Sequence, residues 1–265
     1  MPATLGLAKQ RSRSRRRAFS ASLGQRQTIA GLVKHHLRLG NGPGLVCAVA
    51  PRERWIRGGF NTCIPVRVGS QRSAQPSSPK GETTLIFRCV MTHKLAEGTV
   101  DEKLSCEVGT HVWMQDHTRS DAVSALSLAT QASLRPTPHT RPTATCADPT
   151  AYTLLEYISP ATGRMLSTTW AAQRDDTARQ RRLFRGLSRT MLSLARVPQP
   201  RIGSFPFDAA DRTVVLANRP LLCCAAILES EGAPLAVNET YNCVKPFVAD
   251  VLALHDRHFL ADAVD

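Results

Sequence analysis

The stretch TTLIFRCVMTHKLAEGTVDEKLSCEVGTHVWMQD, residues 83–116, decides the fold class of this chain. It begins with a compact apolar run that surrounds one charged side chain, Arg88. A run of β-branched and aromatic residues of this length predicts a strand over 83–91. The pattern then changes to helical periodicity, because apolar residues recur at four-residue intervals, at Leu104, Val108 and Val112. The capping-box spacing of Thr99 and Glu102 indicates where this helix begins, and we predict it over 101–115.

Outside this stretch, the same criteria predict further strands and helices. Short strands are predicted over 45–68, with an interruption at Gly58 and Gly59, and a further strand over 152–158. Later elements are a long amphipathic helix at 174–196, a hairpin with strands at 201–207 and 213–217, and a helix at 244–255. The fold class predicted from this order is α+β: a mostly antiparallel sheet with one helix, then a mainly helical part with a hairpin insert.

Both late helices carry a predicted apolar stripe. In the first helix the stripe consists of Leu183, Leu187, Met191 and Leu194. In the second it consists of Val248, Val251, Leu252 and His255. The neighbouring carboxylates Asp175 and Asp176 favour the positive N-terminal end of the first helix, and Pro198 and Pro200 stop it.

The positive charge is concentrated at the N-terminus. The chain has 265 residues and a formal charge of +13, and residues 1–44 hold nine Lys or Arg and no Asp or Glu. Their densest part, RSRSRRR at 11–17, cannot bury an apolar face, so we predict that 1–44 is a basic disordered tail. Three roles fit such a tail: a mitochondrial transit peptide, a nuclear-localisation or nucleic-acid-binding segment, or a solvated arm without a dedicated role.

Composition restricts the class of protein further. Apolar residues make up 42 % of the chain, so it is not disordered as a whole. No run of 18 apolar residues occurs, so no membrane-spanning helix is predicted. Eight cysteines without a CxxC pair, in a chain this long, favour a reducing, intracellular compartment, cytoplasmic unless the N-terminus directs the chain to mitochondria. The adjacent pair Cys223 and Cys224 is expected to fill buried apolar volume.

A low-complexity segment separates the predicted helix at 101–115 from the next strand. Residues 117–150 are dominated by Ser, Thr, Ala and Pro, and the later part holds no apolar side chain larger than Ala or Cys. Such a segment cannot supply a packed strand, and a loop of this length is unusual inside a compact domain. A frameshift or a retained intron would produce such a segment.

Four residues form a pattern typical of a nucleotide site. Gly58 and Gly59, between two strands, would let backbone N–H groups approach phosphates. Arg88 in the apolar strand would neutralise phosphate charge, and Glu107 on the next helix would hold it, because a half-buried charge needs a partner. The alternative is structural: a hairpin turn at the glycines and an edge-strand arginine whose head reaches water.

These residues resemble a known family. The runs GGFNTCIPV, LIFRC, DEKLSCEVGTHVWMQ and YTLLEYI are similar to the N-lobe of fungal aminoglycoside phosphotransferase-like proteins, which have a protein-kinase-like fold. The runs RRLFRGLSRTMLSLARVPQPRIGSFPFD, LANRPL, LESEGAP and LALHDRHFL are similar to the insert that follows the hinge in that group. The resemblance implies a kinase-like N-lobe at 45–158, with the low-complexity insert inside it, and a partial helical C-lobe at 159–265.

The resemblance also implies a site and its cofactors, ATP and Mg²⁺. Gly58, Gly59 and Asn61 would belong to the turn that covers the phosphates. Arg88 would stand at the strand position where kinases carry lysine, paired with Glu107. Glu156, Tyr157 and Ile158 would form the hinge whose backbone bonds adenine.

The catalytic half of the family's motif set is missing from the sequence. No HxDxxxxN catalytic loop and no following metal-binding Asp occurs, so neither catalytic nor metal-binding residues are assigned. The family's activity is transfer of the ATP γ-phosphoryl group to a hydroxyl acceptor. For this chain, which resembles a truncated member, we predict deficient transfer with residual nucleotide binding. The alternative is a non-enzymatic protein that binds nucleic acid or a protein partner through its basic N-terminal arm.

Overall fold

The computed structural model describes residues 25–39, 45–70, 82–117, 151–231 and 239–263. Its centre is a five-stranded antiparallel sheet in the order β1-β3-β4-β5, with β2 paired to β3. The strands are β1 Leu45–Val49, β2 Ile56–Arg57, β3 Asn61–Ser70, β4 Glu82–Val90 and β5 Tyr152–Glu156. The predicted α+β class with an antiparallel sheet is confirmed. The low-complexity segment lies, apart from His117, outside the described residues.

The most buried part of the sheet is formed by its central strands. Ile64 and Val66 of β3 and Phe87 of β4 are 1 % exposed or less. Phe87 stacks on Tyr152 of β5 with ring centroids 4.5 Å apart. Alternate residues of β1, β3, β4 and β5 therefore point into one continuous core, as the period of two requires.

A helix that the sequence did not predict closes this core. Helix α1, Gln25–His36, packs on the sheet with Ile29 and Val33 buried, 2 % and 0 % exposed. The prediction that residues 1–44 form a disordered tail is therefore wrong for 25–36. The physical reason is that Ile29 and Val33, four residues apart, share one helix face and pack against the apolar side chains of the sheet. The arginine run at 11–17 lies outside the described residues.

Helix α2, Thr99–His117, agrees with the predicted helix at 101–115. Gly98, at φ 84°, makes the turn that leads into it. The hydroxyl of Thr99 donates to the carbonyl of Ala96 at 2.9 Å, and Glu102 bonds to distant residues rather than back to the helix start. The helix therefore begins where the capping-box spacing indicated, but the box itself is not formed.

The second half of the chain is mainly helical, as predicted, and its hairpin is shorter than predicted. The helix predicted at 174–196 is present as α4, Thr177–Ala195, and it begins at Asp176, whose side chain accepts from the amides of Ala178 and Arg179. Helix α3, Leu166–Gln173, and helix α5, Cys223–Ser230, were not predicted, and helix α6, Val244–Ala263, runs past the predicted end at 255. These elements are α3 Leu166–Gln173, α4 Thr177–Ala195, β6 Phe207–Asp208, β7 Thr213–Val214, α5 Cys223–Ser230 and α6 Val244–Ala263.

The predicted apolar stripes of the two late helices are largely uncovered. In α4, Leu187 and Met191 are 53 % and 62 % exposed, and no residue of the helix is buried. In α6, the buried residue is Leu254, whereas Val248 and Leu252 of the predicted stripe are exposed. Cys223 and Cys224 are also exposed, so their predicted burial is wrong.

Among the helices of the described ranges, none is long and apolar enough to cross a bilayer.

Helix α2 joins the sheet to the second half of the chain. The hydroxyl of Ser105 accepts from the amide of Phe207 at 2.9 Å and donates to the carbonyl oxygen of the same residue at 3.0 Å. Trp113 stacks on Phe205 with ring centroids 4.9 Å apart. One face of α2 therefore carries the residues predicted for a site, and another holds the hairpin segment in place.

Candidate functional site

Arg88 and Glu107 form the ion pair that the sequence predicts. Both guanidinium nitrogens Nη1 and Nη2 donate to the carboxylate of Glu107, the second at 3.3 Å. Arg88 lies on β4, between β3 and β5, opposite Cys63 on one side and Thr153 on the other. The alternative of an edge-strand arginine is therefore wrong, because a strand pairs with β4 on each side.

Glu107 also accepts from a second cation, Lys103, one turn earlier on α2. The side chains of Arg88, Glu107 and Lys103 are 23 %, 26 % and 17 % exposed, so the cluster is largely withdrawn from water. Burial, and then the neighbouring Arg88, lower the pKa of Lys103 to about 8. Burial likewise lowers the pKa of Arg88. Two cations thus share one carboxylate.

These side chains line an open cleft of about 680 Å³. One wall is formed by α2 with Asn61 and Arg88 from the sheet, and the other by residues 202–204, residues 219–223 and helix α5. A volume of this size suits a small organic ligand. The cleft therefore lies between the sheet half and the helical half of the chain.

The lining of the cleft also holds a second ionic cluster, centred on Arg219. Its Nε and Nη2 donate to the two carboxylate oxygens of Glu102 at 2.7 and 2.8 Å, and it also donates to Glu229 of α5. Arg219 is only 4 % exposed and Glu229 only 6 %. Here two carboxylates share one cation, which is the reverse of the charge balance at Arg88.

Hydrogen bonds set the pKa values in this second cluster. Burial would raise the pKa of Glu102, but hydrogen bonds from Arg219 and Asn218 outweigh burial, so its pKa is lowered. The hydrogen bond to Glu102 raises the pKa of Arg219 in turn, against the effect of burial. Glu102 and Arg219 therefore keep their charges at neutral pH.

The Arg219 cluster was not predicted from the sequence, although a charged residue within an apolar run indicated it. Arg219 is the one charged residue in the run LANRPLLCCAAIL, residues 216–228. A charged side chain inside an apolar run needs a carboxylate partner if it is buried. The sequence could not identify Glu102 as that partner, because 117 positions separate the two residues.

The predicted site residues fall into two groups. Asn61, Arg88 and Glu107 line the cleft together. Gly58 and Gly59 form an exposed turn between β2 and β3, where the amide of Gly58 donates to the carbonyl of Asn61 at 2.9 Å, and they do not line it. The predicted hinge residues, Glu156, Tyr157 and Ile158, lie at the end of β5 and after it, and they do not line it either.

The cleft fits part of the ligand set that the resemblance implies. The side-chain oxygen of Asn61 is buried and has no hydrogen-bond partner among the described residues, so it offers an acceptor to a ligand in the cleft. The residues fit Mg²⁺ less well. Each carboxylate that lines the cleft already pairs with a cation, and the described part of the chain holds no group of three metal-ligating side chains.

Comparison with known proteins adds no relative: no family model, no curated protein and no solved structure matches this chain.

Proposed function

We propose that this chain is an aminoglycoside phosphotransferase-like, kinase-like protein that binds ATP in the cleft and is deficient in phosphoryl transfer. The observation that carries the proposal is the ion pair between Arg88 on a central strand and Glu107 on α2. Sequence reasoning expected this pair on chemical grounds, from a strand cation that needs a helical carboxylate to hold it.

The charge balance of the cleft supports one orientation of the nucleotide. At the Arg88 end, two cations share Glu107, so this end has excess positive charge. At the Arg219 end, two carboxylates share one cation, so this end has excess negative charge. A polyphosphate would therefore lie against Arg88 and Lys103, with the rest of the nucleotide directed toward Asn61 and the apolar lining.

Weak or absent phosphoryl transfer follows from the chemistry of this reaction. Catalysis here depends on positioning the acceptor hydroxyl and on metal ions that neutralise developing charge. The sequence has no HxDxxxxN segment and no metal-binding Asp after it, and every carboxylate lining the cleft is paired with a cation. Arg88 and Lys103 can hold phosphate oxygens, but they cannot accept the proton of an acceptor hydroxyl while charged.

The test is a thermal shift with ATP, with and without magnesium. A ligand that binds only the folded state stabilises it by about 2.7 kcal/mol at a hundredfold excess over Kd. We expect ATP to raise the Tm of the native chain, and Arg88→Ala to abolish that increase. Arg88→Ala leaves Glu107 paired with Lys103, so the fold should persist.

Arg54→Ala is the matched control, because Arg54 is exposed and does not line the cleft. It should leave the ATP shift unchanged. The proposal fails if millimolar ATP does not raise the Tm of the native chain. It also fails if ATP raises the Tm of the Arg88→Ala variant as much as it raises the Tm of the native chain.

The alternative function, a basic arm that binds nucleic acid, stays a prediction that now concerns residues 1–24. Helix α1 packs into the core, so its residues do not belong to a free arm. Salt-dependent binding to DNA or RNA that disappears when residues 1–24 are deleted would favour this function over the nucleotide cleft.

A further inference from the structure

Helix α4, Thr177–Ala195, displays an apolar face that nothing in the described part of the chain buries. At 100° per residue, its large apolar side chains, Leu192 excepted, fall within an arc of about 100°. They are Leu183, Phe184, Leu187, Met191 and Leu194. Phe184, Leu187 and Met191 are 55 %, 53 % and 62 % exposed and the other two are half-buried, so most of this face is open to water.

The opposite face of α4 is strongly basic. It carries Arg181, Arg182, Arg185 and Arg189, and the helix contains no acidic residue. Within the described ranges, no carboxylate lies at ion-pair distance from these four arginines. The helix therefore combines an apolar face with uncompensated positive charge on its other side.

Another helix of the same chain shows that exposure of apolar residues alone would not identify a partner. Helix α6 also exposes apolar side chains, including Leu252 and Phe259. Its charged residues, however, have both signs, as at Asp256 and Arg257. Of these two helices, α4 combines its exposed apolar face with charge of one sign, and this sign determines the chemistry of the surface it would contact.

We propose that α4 docks on an anionic phospholipid surface, with its apolar face at the acyl boundary and its arginines against lipid phosphates. A helix with one apolar face, a basic opposite face and low overall hydrophobicity is the type that lies in the plane of a membrane interface. Guanidinium groups beside such a helix gain from the negative potential of an anionic leaflet. No residue of α4 lines the cleft, so docking is independent of the proposed nucleotide binding.

The helix is already formed before any contact. The side chain of Asp176 accepts hydrogen bonds from the amides of Ala178 and Arg179, each at 3.0 Å. Pro198 and Pro200 follow its end. A preformed helix does not have to order its backbone on docking, so more of the contact free energy appears as affinity.

The experiment is co-sedimentation of the full chain with vesicles. One set contains phosphatidylcholine alone, and the other contains phosphatidylcholine with a minority of phosphatidylserine. We expect sedimentation with the second set, weakening as salt is raised. Replacing Arg181 and Arg185 with Gln should weaken binding about thirtyfold, given the contribution of each basic residue near an anionic surface. Replacing Leu187 and Met191 with Ser should weaken it about tenfold or more.

Matched controls separate this surface from general attraction by a basic protein. Arg54→Gln with Arg164→Gln removes the same charge from exposed sites outside α4, and Val248→Ser with Leu252→Ser removes exposed apolar side chains from α6. Both controls should bind vesicles as the native chain does. Because every substituted residue is exposed, each variant should keep the native circular dichroism and Tm.

Three outcomes would overturn the proposal. The first is no sedimentation with either set of vesicles. The second is binding that the α4 substitutions leave unchanged but that disappears when the five arginines at 11–17 become Gln, which would assign the contact to the N-terminus. The third is binding to calcium-loaded calmodulin, an acidic acceptor of basic amphipathic helices, without binding to vesicles, which would assign α4 to a protein partner.

Discussion

Arg219 and Glu102, 117 positions apart, form a two-bond ion pair that joins the helical half of the chain to helix α2. Arg219 holds Glu229 at the same time, and the side chains of Arg219 and Glu229 are only 5 % and 3 % exposed. Removing the cation would break two ion pairs at once, one to the nearly buried Glu229 and one to Glu102, which also accepts from Asn218.

Arg219→Met should therefore destabilise the protein by about 3–5 kcal/mol, the range for breaking a buried ion pair. Urea denaturation followed by circular dichroism measures the loss. Arg54→Met, at an exposed site, should change the stability by less than about 0.5 kcal/mol. A loss below about 1 kcal/mol for Arg219→Met would mean that the two carboxylates find other partners or water.

Gly109 permits the close approach of α2 to the segment before β6. A Cβ atom at this position would overlap the carbonyl oxygen of Phe205 and lie 2.9 Å from its carbonyl carbon. Gly109→Ala should cost about 2 kcal/mol or more, because two backbone segments must move apart. Gly186→Ala, in α4, meets no atom within 4 Å and should stabilise the protein by about 0.5–1 kcal/mol. Thermal unfolding of the two variants should thus give shifts of opposite sign, and shifts of the same sign would contradict the packing of α2.

Acid should weaken the contact between the two halves through Glu102. Its pKa is lowered in the folded state, so the folded protein binds this proton less readily than the unfolded chain. The stabilisation is fully present above the unfolded value of about 4.3 and is lost as the pH falls through the lower folded value. Glu102→Gln should flatten the acid limb of stability against pH, whereas Glu97→Gln, at an exposed site, should not. Identical acid limbs for the two variants would contradict this assignment.

The thiols should divide by reactivity. Cys223, Cys224 and Cys243 are exposed, whereas Cys89 is 5 % exposed and burial raises its pKa to about 11. Iodoacetamide at neutral pH should modify the three exposed cysteines first, and Cys89 only in denaturant, because the thiolate is the reactive form. Peptide mass spectrometry locates the modified positions. Early modification of Cys89 in the native protein would show that β4 is not buried between its neighbours.

Substitutions in helix α1 test whether this helix packs on the core of the sheet. Ile29→Ala should cost about 2–5 kcal/mol, as for other buried large-to-small substitutions. Gln27→Ala, on the exposed side of the same helix, should change the stability by less than about 0.5 kcal/mol. Equal stabilities of the two variants in urea denaturation would mean that α1 does not pack on the sheet.

The sequence predicted best the elements whose signal is local. The strand at 83–91 agrees with β4 because its run is short and rich in β-branched and aromatic residues, and the helix at 101–115 agrees with α2 because its apolar residues recur at four-residue intervals. Helix α1 was missed because the arginines before it dominate the composition of residues 1–44, and composition averaged over the segment concealed the spacing of Ile29 and Val33. Helix α5 was missed because the continuous apolar run at 221–228 has no period to distinguish helix from strand.

The candidate site likewise has a part that could be predicted from the sequence and a part that could not. The pairing of Arg88 with Glu107 could be predicted, because a half-buried strand cation needs a carboxylate partner and the helix that follows carries one at Glu107. The shape of the cleft could not be predicted, since its second wall comes from residues more than 90 positions after Glu107. The sequence also could not show that the Gly58–Gly59 turn stays outside the lining of the cleft, because sequence spacing does not determine how far a hairpin tip extends.

The packing of α1 on the sheet also limits where proteolytic maturation could act. A presequence removed after import would have to end before Ile29, because cleavage beyond that residue would remove Ile29 or Val33 from the core. Mapping the N-terminus of the mature protein from its source cells would therefore distinguish a leader peptide that is removed from an arm that stays part of the mature protein.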